Sequence, residues 1–186
     1  MKYIVSFCQS PRGAYSIFER QEYIHARYVK SSFLPVNQSN KIDSGKLYQA
    51  LKCYLQEDTV ALLVKPQFYK SDDVKTIFYQ LENYLNCRII FDFLDKKVFH
   101  IKNPNDWHVY TGVRELYSGY KDIKYCSKAV ASLLFPQDEN KFHRHYAMAE
   151  SALIGLYGID AVLNGKVITD IKISDAVLQI KNALHH

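Results

Sequence analysis

The chain has 186 residues, 48% of them hydrophobic and 23% charged, with Tyr (15) and Phe (10) abundant and Gly (7) and Pro (5) scarce. This composition excludes a disordered chain and a small domain that must be stapled by disulfides or metal, and the length suits one ordinary globular domain. A formal net charge of +5 permits a polyanionic partner without requiring one.

Cys8, Cys53, Cys87 and Cys126 are widely spaced and form no CxxC pair. They read as free thiols of a reducing compartment, not as a zinc site or a disulfide frame. The opening MKYIVSFCQSPRG lacks the features of a signal peptide, and no segment reaches the roughly 18 apolar residues of a membrane span. A cytoplasmic protein is expected.

In chain order, residues 3–8, 13–18 and 26–34 are apolar, aromatic and β-branched stretches that predict three strands. Residues 37–44 form a polar loop leading to a helix with Leu47, Leu51, Tyr54 and Leu55 on one face. TVALLVK at 59–65, stopped by Pro66, has the pattern of a central strand covered on both faces. Ser71-Asp72-Asp73 then caps a helix carrying Val74, Ile77, Phe78, Leu81 and Leu85. Residues 87–93 and 97–101 are β-like. Helical patterns follow Gly112 and span 122–135, 143–157 and 174–184, with a short strand at 166–169. No linker, repeat or low-complexity stretch divides the chain.

Four strings carry a family resemblance: ALLVKPQFY (61–69), VRELYSG (113–119), DIKYCSKAVASLLFP (122–136) and HYAMAESALIGLYG (145–158). In this order and spacing, together with the opening strands, the chain resembles the RuvC-like Holliday junction resolvases of the RNase H-like superfamily over residues 1–158. The resemblance implies an α/β fold with a mixed sheet flanked by helices; residues 159–186 lie beyond it and are expected as a C-terminal extension packed on the same domain, sealing it or carrying a partner contact. It also implies a homodimer.

As a family, these resolvases are two-metal nucleases. A Mg²⁺ pair needs several carboxylates, and the family draws them from the first strand, the end of the fourth and the last helix. Here Ser6 or Phe7 stands at the first position, and no acid precedes Glu19. The fourth-strand position falls on Lys65, or on Val64 with a shift of one. On the helix the two positions are Ala147 and Glu150, only the second still acidic. Lys65 beside Glu150 would form an ion pair in the vacated site. The plainer reading is a strand-end lysine reaching solvent and a helix-surface glutamate.

Other acids offer a displaced site: Glu19, Asp92 on a strand, Asp95 beyond it, and Asp72-Asp73, which is better explained as helix N-terminal charge. His143 and His145 are two apart, about 200° around a helix, and share an ion poorly. No cofactor is expected, Mg²⁺ entering only if displaced acids form a site.

Arg12, Lys70, Arg114, Lys121, Lys124, Lys128 and Arg144, interleaved with Tyr117, Tyr120 and Tyr125, form a candidate nucleic-acid face, since phosphates need positive charge and rings stack on unpaired bases. The same lysines are also what a solvated helix face looks like. The leading expectation is a non-cutting RuvC-like protein that binds branched or structured DNA or RNA. The alternatives are a structural subunit of a larger assembly and an active junction nuclease with displaced carboxylates.

Overall fold

The computed structural model describes residues 3–9, 12–21, 25–68, 72–119 and 122–184, arranged about a six-stranded sheet. The first strand, β1 (Tyr3–Cys8), turns Ile4, Ser6 and Cys8 to one face and Val5 and Phe7 to the other. β2 (Ala14–Arg20) and β3 (His25–Phe33) continue from it antiparallel. β4 (Val60–Val64) lies parallel to β1 on its other side, and β5 (Lys97–Ile101) is parallel to β4. The short β6 (Lys166–Ile168) joins the far edge parallel to β3, so the order is β5-β4-β1-β2-β3-β6.

Two helices cover the Val5/Phe7 face. α1 (Ser44–Leu51) starts where the Asp43 side chain accepts the Lys46 amide, and α2 (Val74–Phe93) starts where Asp73 accepts the Thr76 amide. Leu47, Leu51, Cys87 and Phe91 close this core. The helices α3 (Pro104–Tyr110), α4 (Val113–Gly119), α5 (Ile123–Leu134), α6 (Glu139–Arg144), α7 (Tyr146–Ala161) and α8 (Ile173–Leu184) build the other side.

α7 is the helix that seats the sheet. Small residues bring it close: a Cβ at Gly155 would lie 2.1 Å from the Phe18 ring, and one at Gly158 2.7 Å from Leu62 Cδ1. Ser6 Oγ donates to the Ser151 carbonyl at 2.7 Å, and Ser16 Oγ is hydrogen-bonded to Ser31 Oγ at 2.6 Å and to Ser151 Oγ at 2.7 Å. Tyr28 OH and the Ser31 amide donate to the buried Asp138 carboxylate. The buried polar groups under α7 thus satisfy one another, as buried polar groups must.

Several expectations change. Residues 87–93 are not a strand but the last third of α2. Cys87, Ile90 and Phe91 are buried while Ile89 and Phe93 are exposed, a helical period. Arg88 and Asp92 pair at i,i+4 with 2.8 Å. The β-branched and aromatic composition that suggested a strand yields to the continuous helix and its packing on the sheet. Residues 143–157 are two helices, broken at His145, whose extended backbone ends α6 and begins α7. α3 escaped the sequence reading, although Asn103 caps it and Pro104 occupies its first turn. Beyond residue 158, β6 extends the sheet while Ala176, Val177 and Ile180 of α8 join the α7 core.

Candidate functional site

Parallel pairing brings the C-terminal ends of β1 and β4 side by side, with α7 crossing above them. A cleft of about 710 Å³ opens there, lined by Cys8 and Gln9 at the end of β1, Val64 to Gln67 at the end of β4, Tyr79 and Tyr84 of α2, Trp107 and His108 of α3, and Glu150 and Ile154 of α7.

Cys8 and Glu150 meet in this cleft. The Cys8 thiol donates to Glu150 Oε2 at 3.3 Å. Burial pushes the Glu150 carboxyl up to about 7, against the opposing pull of the thiol hydrogen bond and of Lys124. At neutral pH the side chain is therefore divided between acid and carboxylate.

His108 lines the same cleft with both ring nitrogens buried and without hydrogen-bond partners among the described residues, and Gln9 Nε2 is in the same condition. Burial, and secondarily the nearby Arg114 cation, lower His108 to about 4. Its imidazole is neutral across the physiological range.

Ser6, Lys65, Ala147 and Glu150, the residues singled out by the resemblance, are not assembled as the sequence suggested. Ser6 is fully buried and spends its hydroxyl on Ser151, so it docks α7 instead of facing the cleft. Two residues on, with the same facing, Cys8 is the β1 side chain that meets the helix acid. On β4, Leu62 and Val64 pack on the α7 side, while Ala61 and Leu63 pack on the α2 side. Alternation therefore gives Val64 the facing of Glu150 and gives Lys65 that of α2. Lys65 is exposed and acts on His100, whereas the cation acting on Glu150 is Lys124. The Lys65–Glu150 ion pair is not formed. Ala147 is buried one turn before Glu150.

The displaced acids do not converge either. Asp92 is on a helix and bound to Arg88, Glu19 is paired with Arg27 at 3.4 Å, and Asp95 lies in a separate hollow with Asp58. His143 approaches Glu139 at 3.2 Å within α6, while His145 packs edge-on against Phe33. Among the described residues no group of three or more His, Cys, Asp or Glu is placed to hold a metal. A soft thiol, one carboxylate that is half protonated at neutrality, and the hydrocarbon of Val64 and Ala147 do not fit a Mg²⁺ pair.

The basic residues gather unevenly. Lys124 and Lys128 are successive turns of α5. Lys124 lies 4.7 Å from the centre of the Tyr146 ring, and Lys128 donates to the His143 carbonyl at 3.1 Å. Arg144 ends α6 beside them. Arg12 is exposed in the β1–β2 turn, and Arg114 stands near His108 on α4. Lys70 and Lys121 lie outside the described residues.

No protein-family model matches the sequence, and no curated protein matches it. Among solved structures, the chain is similar to RuvC of T. thermophilus in complex with a Holliday junction substrate. The TM-score is 0.52 at 8% identity, over 87% of this chain and 96% of that one.

The fold is that of RuvC.

A Fowlpox virus resolvase in complex with Holliday junction DNA also matches, at TM-score 0.48 and 18% identity over 87% of this chain and 99% of that one. The RuvC-type arrangement explains the position of the cleft: it opens where the two central parallel strands end beneath the last helix of the resemblance. Gln9, Trp107 and His108 were missed by the sequence reading because none sits in a motif. The signal for Cys8 was present, since residues 4, 6 and 8 share a face and the apolar run ends at 8.

Proposed function

We propose that this RuvC-like protein binds branched or structured nucleic acid without cutting it, and does so as a homodimer. The observation that carries the reading is the Cys8–Glu150 pair in the cleft where β1 and β4 end beneath α7, next to the Lys124–Lys128 face. One titrating carboxylate and a thiol do not organise a metal-bound phosphate for in-line attack. Lys124, Lys128 and Arg144, on adjoining segments, remain able to hold phosphates. The T. thermophilus protein of the same fold is in complex with a Holliday junction substrate, which makes a four-way junction the natural first ligand.

The dimer reading rests on α2. Val74, Phe78, Leu81, Leu85, Ile89 and Phe93 form a stripe along its outer side, each between 36% and 86% exposed. Monomeric proteins seldom expose a contiguous apolar face of this kind. The stripe is nearly symmetrical about its midpoint, with Lys75 at one end and Asp92 at the other. A second copy laid antiparallel sets Phe78 against Ile89 and Lys75 against Asp92, an isologous contact. A structural subunit using the same stripe for a different protein is the second reading.

The test is a labelled four-way junction and a matched duplex with Mg²⁺ or Mn²⁺ across a salt series. Junction-selective, salt-sensitive binding with intact strands supports the proposal. Metal-dependent cutting refutes the non-cutting part, and no binding at low salt shifts the case to the structural subunit.

A further inference from the structure

The cleft contains two buried polar groups whose hydrogen-bonding capacity is unused. Gln9 Nε2 and both nitrogens of the neutral His108 have no hydrogen-bond partner among the described residues, although the groups under α7 are closely satisfied. Buried polar atoms without partners are costly and rare, and each calls for an explanation. Gln9 and His108 both line the same cleft, with Tyr79, Tyr84, Trp107 and the aliphatic Val64 and Ile154, while the three polar atoms themselves are covered.

We infer that this cleft receives a single unpaired nucleobase, turned out of its strand, with its phosphate left at the basic rim. Neutral imidazole offers one donor and one acceptor, and the glutamine amide adds a donor. The edge of a nucleobase presents alternating acceptors and donors that suit this set. Aromatic and aliphatic walls suit a planar ring, which can stack sequence-tolerantly. A phosphate is the wrong occupant, because the partly ionised Glu150 repels it and no metal cluster is available among the described residues to screen it. Lys65 and Lys75 at the mouth are positioned for the phosphate that follows the base. The volume of about 710 Å³ exceeds that of one base, and the covered nitrogens reach the base edge when the Gln9 and His108 side chains turn toward it. This inference deepens the nucleic-acid reading and rests on it for the ligand class.

The chain has a single tryptophan, Trp107, and it lines the cleft, so intrinsic fluorescence reports occupancy directly. Titration of the full chain with deoxynucleoside monophosphates should change Trp107 emission saturably, while base-free deoxyribose 5-phosphate should not. Gln9→Leu and His108→Phe should each weaken the response at least tenfold, with circular dichroism showing that the variants fold. No response to any nucleotide, or an equal response to the base-free sugar phosphate, overturns the inference. Junction binding without any emission change refutes base capture and leaves the junction reading intact. A nucleotide response without junction binding supports base capture and removes the junction reading.

Discussion

The Cys8 thiol donates a 3.3 Å hydrogen bond to Glu150 Oε2, tying the end of the first strand to the second turn of α7. That contact locates the cleft of a RuvC-type fold and shows what occupies it: a soft donor and one acid with a raised pKa.

Glu150 makes stability depend on pH. Its ordinary value is 4.5, and in the folded chain it is pushed up to about 7. Between these values the native state holds a proton that the unfolded state releases. Stability therefore falls as pH rises through this window and levels off above about 7. The loss should be roughly 2–3 kcal/mol. Urea unfolding at pH 5 and pH 8 measures it, and Glu150→Gln should abolish most of the difference. Lys124→Ala should move the midpoint upward, because Lys124 favours the carboxylate. Equal pH dependence in wild type and Glu150→Gln would show that another group is responsible.

Placing an acid at Ser6 should not rebuild a metal site. Ser6 is fully buried and bonded to the Ser151 carbonyl, so Ser6→Asp sets a carboxylate against a carbonyl oxygen. A cost of at least about 3 kcal/mol is expected. Ser6→Ala, which only removes the hydrogen bond, should cost about 1–2 kcal/mol. Chemical denaturation of both variants distinguishes a docking residue from a vacated ligand position, for which the aspartate would be tolerated.

Gly155→Ala should separate α7 from the sheet. The added methyl meets the Phe18 ring at 2.1 Å and Ser6 Oγ at 2.7 Å. Overpacking of this kind costs about 1–3 kcal/mol. The midpoint of thermal unfolding should drop by several degrees, on the scale of about 2–4 °C per kcal/mol for a chain of this size. An unchanged midpoint would mean that α7 does not lie this close.

Phe78→Glu should convert the proposed dimer to a monomer without unfolding it. Phe78 is 65% exposed in the single chain, and surface substitutions usually change folding stability by about 0.5 kcal/mol or less. Sedimentation equilibrium gives the mass. A wild-type chain that is monomeric at all concentrations contradicts the isologous contact at α2.

Lys124→Glu with Lys128→Glu should weaken junction binding at every salt concentration and reduce the salt slope by about one to two. Retained affinity would place the phosphate contacts elsewhere. The control is the same substitution at Lys41, which pairs with Glu82 at 2.9 Å on α2.

Periodicity and capping chemistry were enough to locate most of the framework. The strands at 3–8 and 59–65 and the helices at 122–135 and 174–184 stand close to where their apolar patterns and caps put them, because those signals act over a few residues. Local patterns also allowed the resemblance to name the fold. They misjudged 87–93, where a helix already under way and anchored on the sheet overrides a strand-like composition. They read Val74, Phe78, Leu81 and Leu85 correctly as one helical stripe without revealing that it faces outward; which side of a helix is covered depends on the rest of the chain. The site was decided only by tertiary structure. Whether Ser6 or Cys8 faces Glu150, and whether Lys65 or Val64 does, turns on strand facing and on how closely Gly155 lets α7 approach. The raised pKa of Glu150 likewise comes from burial in a cleft that brings together strand ends and helices distant in sequence, Cys8 among them.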